Sequence, residues 1–172
     1  IIQSRIKKTQ LLFDKPEEFK EQLSKEIASY EIKAAKNGQH LVVRLNVFSD
    51  IMWERIYPEL FTKFNQTQFY DYTKHVKRYK RFLDGKFPPN YHLTFSRSER
   101  NDKDCLRFLE NPKACVAVVF KEVPEFWNGY PVTTGDDDDL RFLNCGVIGL
   151  KAKGRLRKSD SNFVAIGDSR SA

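Results

Sequence analysis

From Thr67 to Ser96 the chain reads TQFYDYTKHVKRYKRFLDGKFPPNYHLTFS, and this stretch decides the fold. Thr67 to Thr73 is short, aromatic and bounded by polar residues, which predicts a strand. His75 to Leu83 sets Val76, Tyr79, Phe82 and Leu83 at helical spacing, and Asp84-Gly85 supplies the stop. After the rigid Pro88-Pro89 pair, Tyr91 to Ser96 is a second strand. A strand, a helix and a strand in immediate succession form a βαβ unit, whose two strands run parallel.

The same cycle extends in both directions. Upstream, Asp14 is placed to cap a helix, with Pro16 in its first turn and Glu17 completing a capping box. Phe19, Leu23, Ile27, Tyr30 and Ala34 form its stripe, and Asn37-Gly38 ends it. Leu41 to Val47 is a strand; Ser49 or Asp50 caps a helix through Leu60 that Pro58 shortens or kinks. Downstream, Asn101 caps a helix through Leu109, and Cys115 to Phe120 is apolar enough to be buried on both faces. Pro124 to Pro131 reads as a loop, followed by short strands at Val132 to Thr134 and Val147 to Leu150.

This pattern predicts an α/β protein with a parallel-stranded partial (β/α) barrel, because an eight-fold barrel takes about 250 residues. An open doubly wound sheet is the alternative; the lack of a glycine-rich phosphate loop counts against it. Residues 1–163 read as one domain and 164–172 as a flexible tail. The chain opens on Ile1, so an upstream segment is expected to be missing. With 172 residues, 40% hydrophobic and 31% charged, the composition excludes a disordered chain. No stretch approaches the roughly 20 apolar residues of a membrane span, so no membrane partner is expected. Three scattered cysteines predict a reduced, cytoplasmic setting. Thirty basic against 23 acidic residues give a net charge of +7, which favours anionic partners.

Parallel sheets gather binding groups at the carboxyl ends of their strands. There the sequence supplies Asp50, Asp71, Thr73, Lys74, Thr94, Ser96 and Arg97. Arg44 shares a strand face with Asn46, Asp71 with Thr73, and His92 with Thr94 and Ser96. Burying such groups unpaired costs roughly 1–3 kcal/mol each, so a shared wet cavity is expected. Arg44, Asn46, Asp50, Thr73, Thr94, Ser96 and Arg97 are its candidate binding residues; His92, Asp71 and Lys74 are the candidate catalytic groups. A structural histidine and strand-end residues that merely cap helices are the plainer alternatives. In Gly135-Asp136-Asp137-Asp138-Asp139, Asp136 and Asp138 are weak metal candidates, since acidic runs more often form solvated turns. Lys151, Lys153, Arg155, Arg157 and Lys158, five basic residues in one short stretch, are the candidate nucleic-acid contacts.

Several ordered segments together resemble the "gene product 88" family of phages and mobile elements. They are RIKKTQLLF (Arg5 to Phe13), VRLNVFSDIMWE (Val43 to Glu54), QFYDYTK (Gln68 to Lys74), NYHLTFSRSE (Asn90 to Glu99), VAVVF (Val116 to Phe120), GYPVTTGDDDDLRF (Gly129 to Phe142) and GVIGLKAKG (Gly146 to Gly154). The resemblance brings no reaction with it. It does imply a cysteine-bearing segment just upstream of Arg5. The Thr94-x-Ser96 strand end looks like a partial barrel of the radical-SAM kind. In that fold three upstream cysteines would hold an iron–sulfur cluster alongside S-adenosylmethionine. Cys105, Cys115 and Cys145 do not reproduce the cluster motif, so no cofactor is expected in this chain as it stands. Two function classes follow: a radical-SAM-like enzyme acting on nucleic acid or another phosphate-bearing substrate, or a non-enzymatic nucleic-acid-binding or host-interaction module.

Overall fold

A strand cannot reach a parallel neighbour through a tight turn; the chain first has to run back along the sheet. The computed structural model, which describes residues 2–47, 49–158 and 161–168, shows that step taken repeatedly in one direction. Strands β1 (Val42–Arg44), β2 (Gln68–Thr73), β3 (Tyr91–Ser96) and β4 (Cys115–Phe120) lie side by side in chain order, all parallel. Helices α3 (Trp53–Ile56) and α4 (Glu59–Lys63) fill the first crossover, α5 (Val76–Leu83) the second and α6 (Asp102–Leu109) the third. Right-handed crossovers that advance one way leave their helices on one face. The ring contacts agree: Phe61 of α4 lies 4.6 Å from Tyr91, and Tyr79 of α5 and Phe108 of α6 lie 5.1 and 4.9 Å from Phe95.

Strands β5 (Phe126–Trp127), β6 (Tyr130–Thr134) and β7 (Gly146–Lys151) complete a seven-stranded sheet of order β1-β2-β3-β4-β7-β6-β5, in which only β5 is antiparallel to its neighbour. The expected α/β class and parallel winding hold. The sheet winds like part of a barrel but stays open. Strands β1 to β4 advance in one direction, and the chain turns back only from β5 through β6 to β7.

Local differences have local causes. Helix α2 (Pro16–Lys36) spans the expected stretch, but its N-cap is Lys15; Asp14 instead ends α1 (Ile2–Asp14), which the sequence reading left unassigned. Helix α1 packs on α2, and of its described side chains only Leu11 and Leu12 are partly covered. Ser49 and Asp50 do not cap α3, because their side chains bond to Asn46 and Arg78 instead. Pro58 divides α3 from α4. The expected loop before Pro131 holds a hairpin, closed by Asn128-Gly129 with φ of 49° and 77°, the left-handed pair such a tight turn needs.

Residues 164–168, expected in a mobile tail, are fastened down. Beyond Ser96↔Ala117, β4 has no β3 partner, and Ala165 N–H bonds there to the Val119 carbonyl at 2.8 Å. The Asp168 carboxylate accepts the amides of Asn128 and Gly129 at 2.8 and 2.7 Å. Ile1 and residues 169–172 lie outside the described residues. Among the described residues no helix is long and apolar enough to cross a membrane.

Pairing of β3 with β4 starts only at Phe95↔Val116. Just before that rung, the fully buried Tyr79 hydroxyl accepts from Cys115 N at 2.8 Å and donates to Cys115 O at 3.0 Å. Tyr79→Phe keeps the ring and orphans those backbone groups. It is expected to lower unfolding free energy by about 1–3 kcal/mol in urea titrations.

Candidate functional site

Side chains alternate across a strand, so register decides which polar groups meet. On β2, Phe69 packs toward the helices against Phe61, which puts Asp71 and Thr73 on that side and Tyr70 and Tyr72 on the other. Tyr70 pairs with His92 and Asp71 with Leu93, so His92, Thr94 and Ser96 share the face of the two tyrosines. Arg44, opposite Tyr70, joins them. The single cavity expected from the sequence is therefore two clusters on opposite faces. The polar sets of β2 and β3 are out of phase by one residue.

The cluster under the helices centres on Arg78. Its guanidinium is buried on the inner side of α5 and donates to Glu54 Oε1 and Oε2 at 3.1 and 2.7 Å, to Asp50 Oδ1 at 2.5 Å and to the Tyr91 hydroxyl at 2.9 Å. Burial works against its charge, but the Glu54 hydrogen bonds and the surrounding anions outweigh this and keep it protonated. Tyr91 in turn donates to Asp71 Oδ2 at 2.6 Å. Asp71 also accepts the backbone N–H of Asn46 at 2.6 Å and its side-chain amide at 3.0 Å. Asn46 Oδ1 then takes Ser49, the Ile51 amide and the Trp53 indole, which shapes the turn after β1. Thr73 donates to Asp50 Oδ2 at 2.8 Å. Burial pushes the Asp71 carboxyl up to about 6, although the bonds from Tyr91 and Asn46 and the Arg78 charge pull it down.

The opposite face is crossed by the segment after β6, which packs a 3-10 turn at Arg141–Leu143 onto β3. A side chain at Gly135 would run into Ile148, Leu150 and Arg141, so the crossing is tight. Buried Arg141 donates to the Tyr72 hydroxyl at 2.8 Å and to the Gly135 carbonyl at 2.5 Å. The carboxylate of Asp139 receives Tyr72 at 2.7 Å, Tyr70 at 2.9 Å and Arg44 at 3.2 Å, while the Arg44 guanidinium stacks 4.6 Å from the Tyr72 ring. Burial, then the Asp139 hydrogen bond, pushes the Tyr70 phenol up to about 12.

All parallel strands end on one edge, and several expected site residues gather there. Lys74 is exposed, with Nζ 5.3 Å from the Phe163 ring. Arg97 pairs with Asp102 through both Nε and Nη2 and also holds the carbonyls of Asn162 and Phe163. Lys151 pairs with Glu122 and Lys153 with Asp136; Arg155, Arg157 and Lys158 stand exposed on a 3-10 turn at Gly154–Lys158. A hollow of about 420 Å³, lined by Lys121, Glu122, Asn162 and Val164 among others, opens at this edge. Another of about 640 Å³ lies between α2 and α4 and touches neither polar cluster.

The chemistry-bearing candidates are less accessible. The Asp71 side chain is fully enclosed and lies on the other face from His92. His92 Nε2 is buried without a partner, its ring 5.2 Å from Phe82, and burial pushes its pKa down to about 4. Asp136 is taken by the Lys151 amide and Lys153, and Asp138 by the Leu140 amide and Arg141. Among the described residues, no three His, Cys, Asp or Glu side chains converge on a metal position. Cys105 and Cys115 are buried apart, bonded to Asn101 and Thr94, with thiols pushed up to about 12 and about 11 chiefly by burial, whereas Cys145 is exposed. This set does not fit an iron–sulfur cluster. Arg78, Glu54, Tyr91, Tyr70 and Tyr72 were not singled out as site residues from the sequence. Arg78 was findable, because it shares the helical stripe of His75, Tyr79 and Phe82.

Removing Arg78 strands the buried Glu54 carboxylate, so Arg78→Met is expected to cost about 3–5 kcal/mol in guanidinium unfolding. Lysine should not restore it, lacking the planar fork. Asp71 and His92 titrate against each other. Asp71 has a folded pKa above the unfolded value of about 3.9, so its burden lifts as pH falls from about 6 toward 4. His92 has a folded pKa below the unfolded value of about 6.5, so stability is lost over a similar range of acidification. His92→Leu removes the second effect. From pH 7 to pH 5 its urea midpoint should rise relative to wild type.

The sequence pattern of the family described as Gene product 88 matches residues 1–167. No curated protein matches the chain, and no solved structure does. The match runs through the whole sheet, both polar clusters and the basic edge: the chain belongs to the Gene product 88 family.

Proposed function

We propose that this protein binds a phosphate-bearing ligand, nucleic acid above all, along the carboxyl edge of its sheet. One observation carries the reading: parallel strands deliver exposed basic side chains to a single edge. Lys74 follows β2, Arg100 follows β3, Lys121 follows β4, Lys151 ends β7, and Lys153, Arg155, Arg157 and Lys158 come after it. The net charge of +7 adds a long-range attraction for the same ligands. Nucleic-acid binding gains free energy when basic side chains displace condensed counterions, which needs cations along a path rather than one pocket. A nucleic-acid ligand would be consistent with a site of action in the cytoplasm of a host cell.

A second reading, a radical-SAM-like enzyme, draws on the winding of β1 to β4, side by side and in chain order as in part of a barrel. It is a fold-level analogy and needs cysteines that this chain does not bring together. Iron and sulfide analysis of the protein after anaerobic reconstitution tests it; no bound iron would end it.

For the binding reading, anisotropy of a labelled single-stranded oligonucleotide is followed across a salt series. Replacing Arg155, Arg157 and Lys158 with Gln should flatten the slope of log K against log salt by roughly two units, about 0.7 per lost contact. The pair Lys151→Gln and Lys153→Gln should change it less, because Glu122 and Asp136 already occupy those charges. Equal slopes for wild type and the triple variant would remove the proposal's footing.

A further inference from the structure

On the sheet face opposite the helices, four donors close around one carboxylate. Asp139 Oδ1 accepts from the Tyr72 hydroxyl at 2.7 Å and forms an ion pair with Arg141 Nη2 at 3.4 Å; Oδ2 accepts from the Tyr70 hydroxyl at 2.9 Å and Arg44 Nη1 at 3.2 Å. Two guanidiniums and two phenols form a donor-rich enclosure around Asp139, with Asp138 a second carboxylate 3.7 Å from Arg141. Phosphoryl groups, with more charge and three acceptor oxygens, suit such a donor set better.

The enclosure is held in shape by contacts other than Asp139. Arg44 stacks on the Tyr72 ring and donates from Nε to the Asn46 carbonyl. Arg141 is fixed by Tyr72 and by the Gly135 carbonyl. Binding groups positioned before the ligand arrives lose less freedom on binding. The occupant is more open to solvent than its host: the Asp139 side chain is 42% exposed against 4% for Arg141. Its neighbours in the acidic run behave alike, Asp136 bonding to Lys153 and Asp138 lying 3.7 Å from Arg141. Three carboxylates in sequence thus lie along basic groups, as successive phosphates would.

We propose that Arg44, Tyr70, Tyr72 and Arg141 form a phosphoryl-binding cradle that the chain's own Asp139 occupies, so that a phosphate-bearing ligand enters by displacing this acidic segment. The proposal rests on the phosphate-binding reading of the carboxyl edge, which the cradle adjoins: Arg44 ends β1 and Tyr72 is the penultimate residue of β2. It adds a site and a built-in competitor. The phosphoryl group can belong to a free oligophosphate or to the end of a nucleic-acid strand, and the probes separate the two.

Binding is measured for wild type, Asp139→Asn, and Asp139→Asn combined with Arg44→Gln. The probes are inorganic pyrophosphate, a 5′-phosphorylated oligonucleotide and its 5′-hydroxyl counterpart. Asp139→Asn is expected to tighten binding of pyrophosphate or of the phosphorylated strand by roughly tenfold, equivalent to about 1.4 kcal/mol, and Arg44→Gln to abolish the gain. A gain for pyrophosphate identifies a free phosphate ligand; a gain confined to the phosphorylated strand identifies a nucleic-acid end. Folded Asp139→Asn with no gain for either overturns the proposal. Should that variant not fold, wild type is titrated with pyrophosphate while the Arg44 and Arg141 Nε–H resonances are followed. Shifts in both support the cradle, and unmoved resonances at saturating pyrophosphate overturn it. Loss of the salt-slope difference with a retained gain for either phosphoryl probe would fail the edge reading alone; a retained slope difference with no gain for either probe would fail the cradle alone.

Discussion

The Arg78 guanidinium cannot be buried without partners, and meeting that demand organises one end of the protein. Desolvating such an ion costs several kcal/mol, and only close, well-aligned acceptors offset it. Glu54 and Asp50 provide them from the segment after β1, and the Tyr91 hydroxyl provides another from the start of β3. Each partner then fixes something further. Asp50 holds Thr73 and the Lys74 amide at the end of β2, and Tyr91 passes its proton bond to Asp71, which secures Asn46 and the following turn. The relative placement of β1, β2, β3, α3 and α5 thus follows from satisfying one cation.

The other face solves a similar problem with a different element. One-directional winding puts the helices on one side, so the polar side chains facing away from them need another cover. The segment between β6 and β7 supplies it, bringing Arg141 over Tyr72 and setting Asp139 between the tyrosines and Arg44. Here the guanidinium–carboxylate contacts to Asp139 are longer, at 3.2 and 3.4 Å, and this anion belongs to a loop. The face under the helices is built to stay closed; the face under the loop has an occupant that can be exchanged. That asymmetry separates a structural cluster from a candidate site among residues of similar chemistry.

At the carboxyl edge the returning C-terminal segment matters more than its composition suggests. Ser, Gly and Asn are common in mobile tails, yet residues 161–168 gain order from unpaired backbone on β4 and from Arg97, which holds the carbonyls of Asn162 and Phe163. Phe163 is thereby set beneath Lys74, and a hollow is left between this segment and Lys121. The basic turn at Gly154–Lys158 sits between β7 and this anchored return.

The sequence alone determined the alternation of strands and helices, because hydrophobic periods of two and 3.6 are local properties of the chain. Thr67 to Thr73, Tyr91 to Ser96 and Cys115 to Phe120 are the strands expected, and the parallel α/β class follows from the helices between them. The basic stretch from Lys151 and the polar strand ends were equally legible, since charge and residue type need no tertiary information. Tertiary structure alone decided which polar residues meet. Whether Asp71 faces His92 depends on register between two strands, and a shift of one residue reverses every side chain. Whether Arg78 is a surface cation or a buried hub depends on acceptors that lie 24 and 28 positions upstream in the chain. Whether an acidic run is a solvated turn or the occupant of a cradle depends on tyrosines 67 and 69 positions away. Separations of that length carry no local pattern, so packing, and not periodicity, chose the partners.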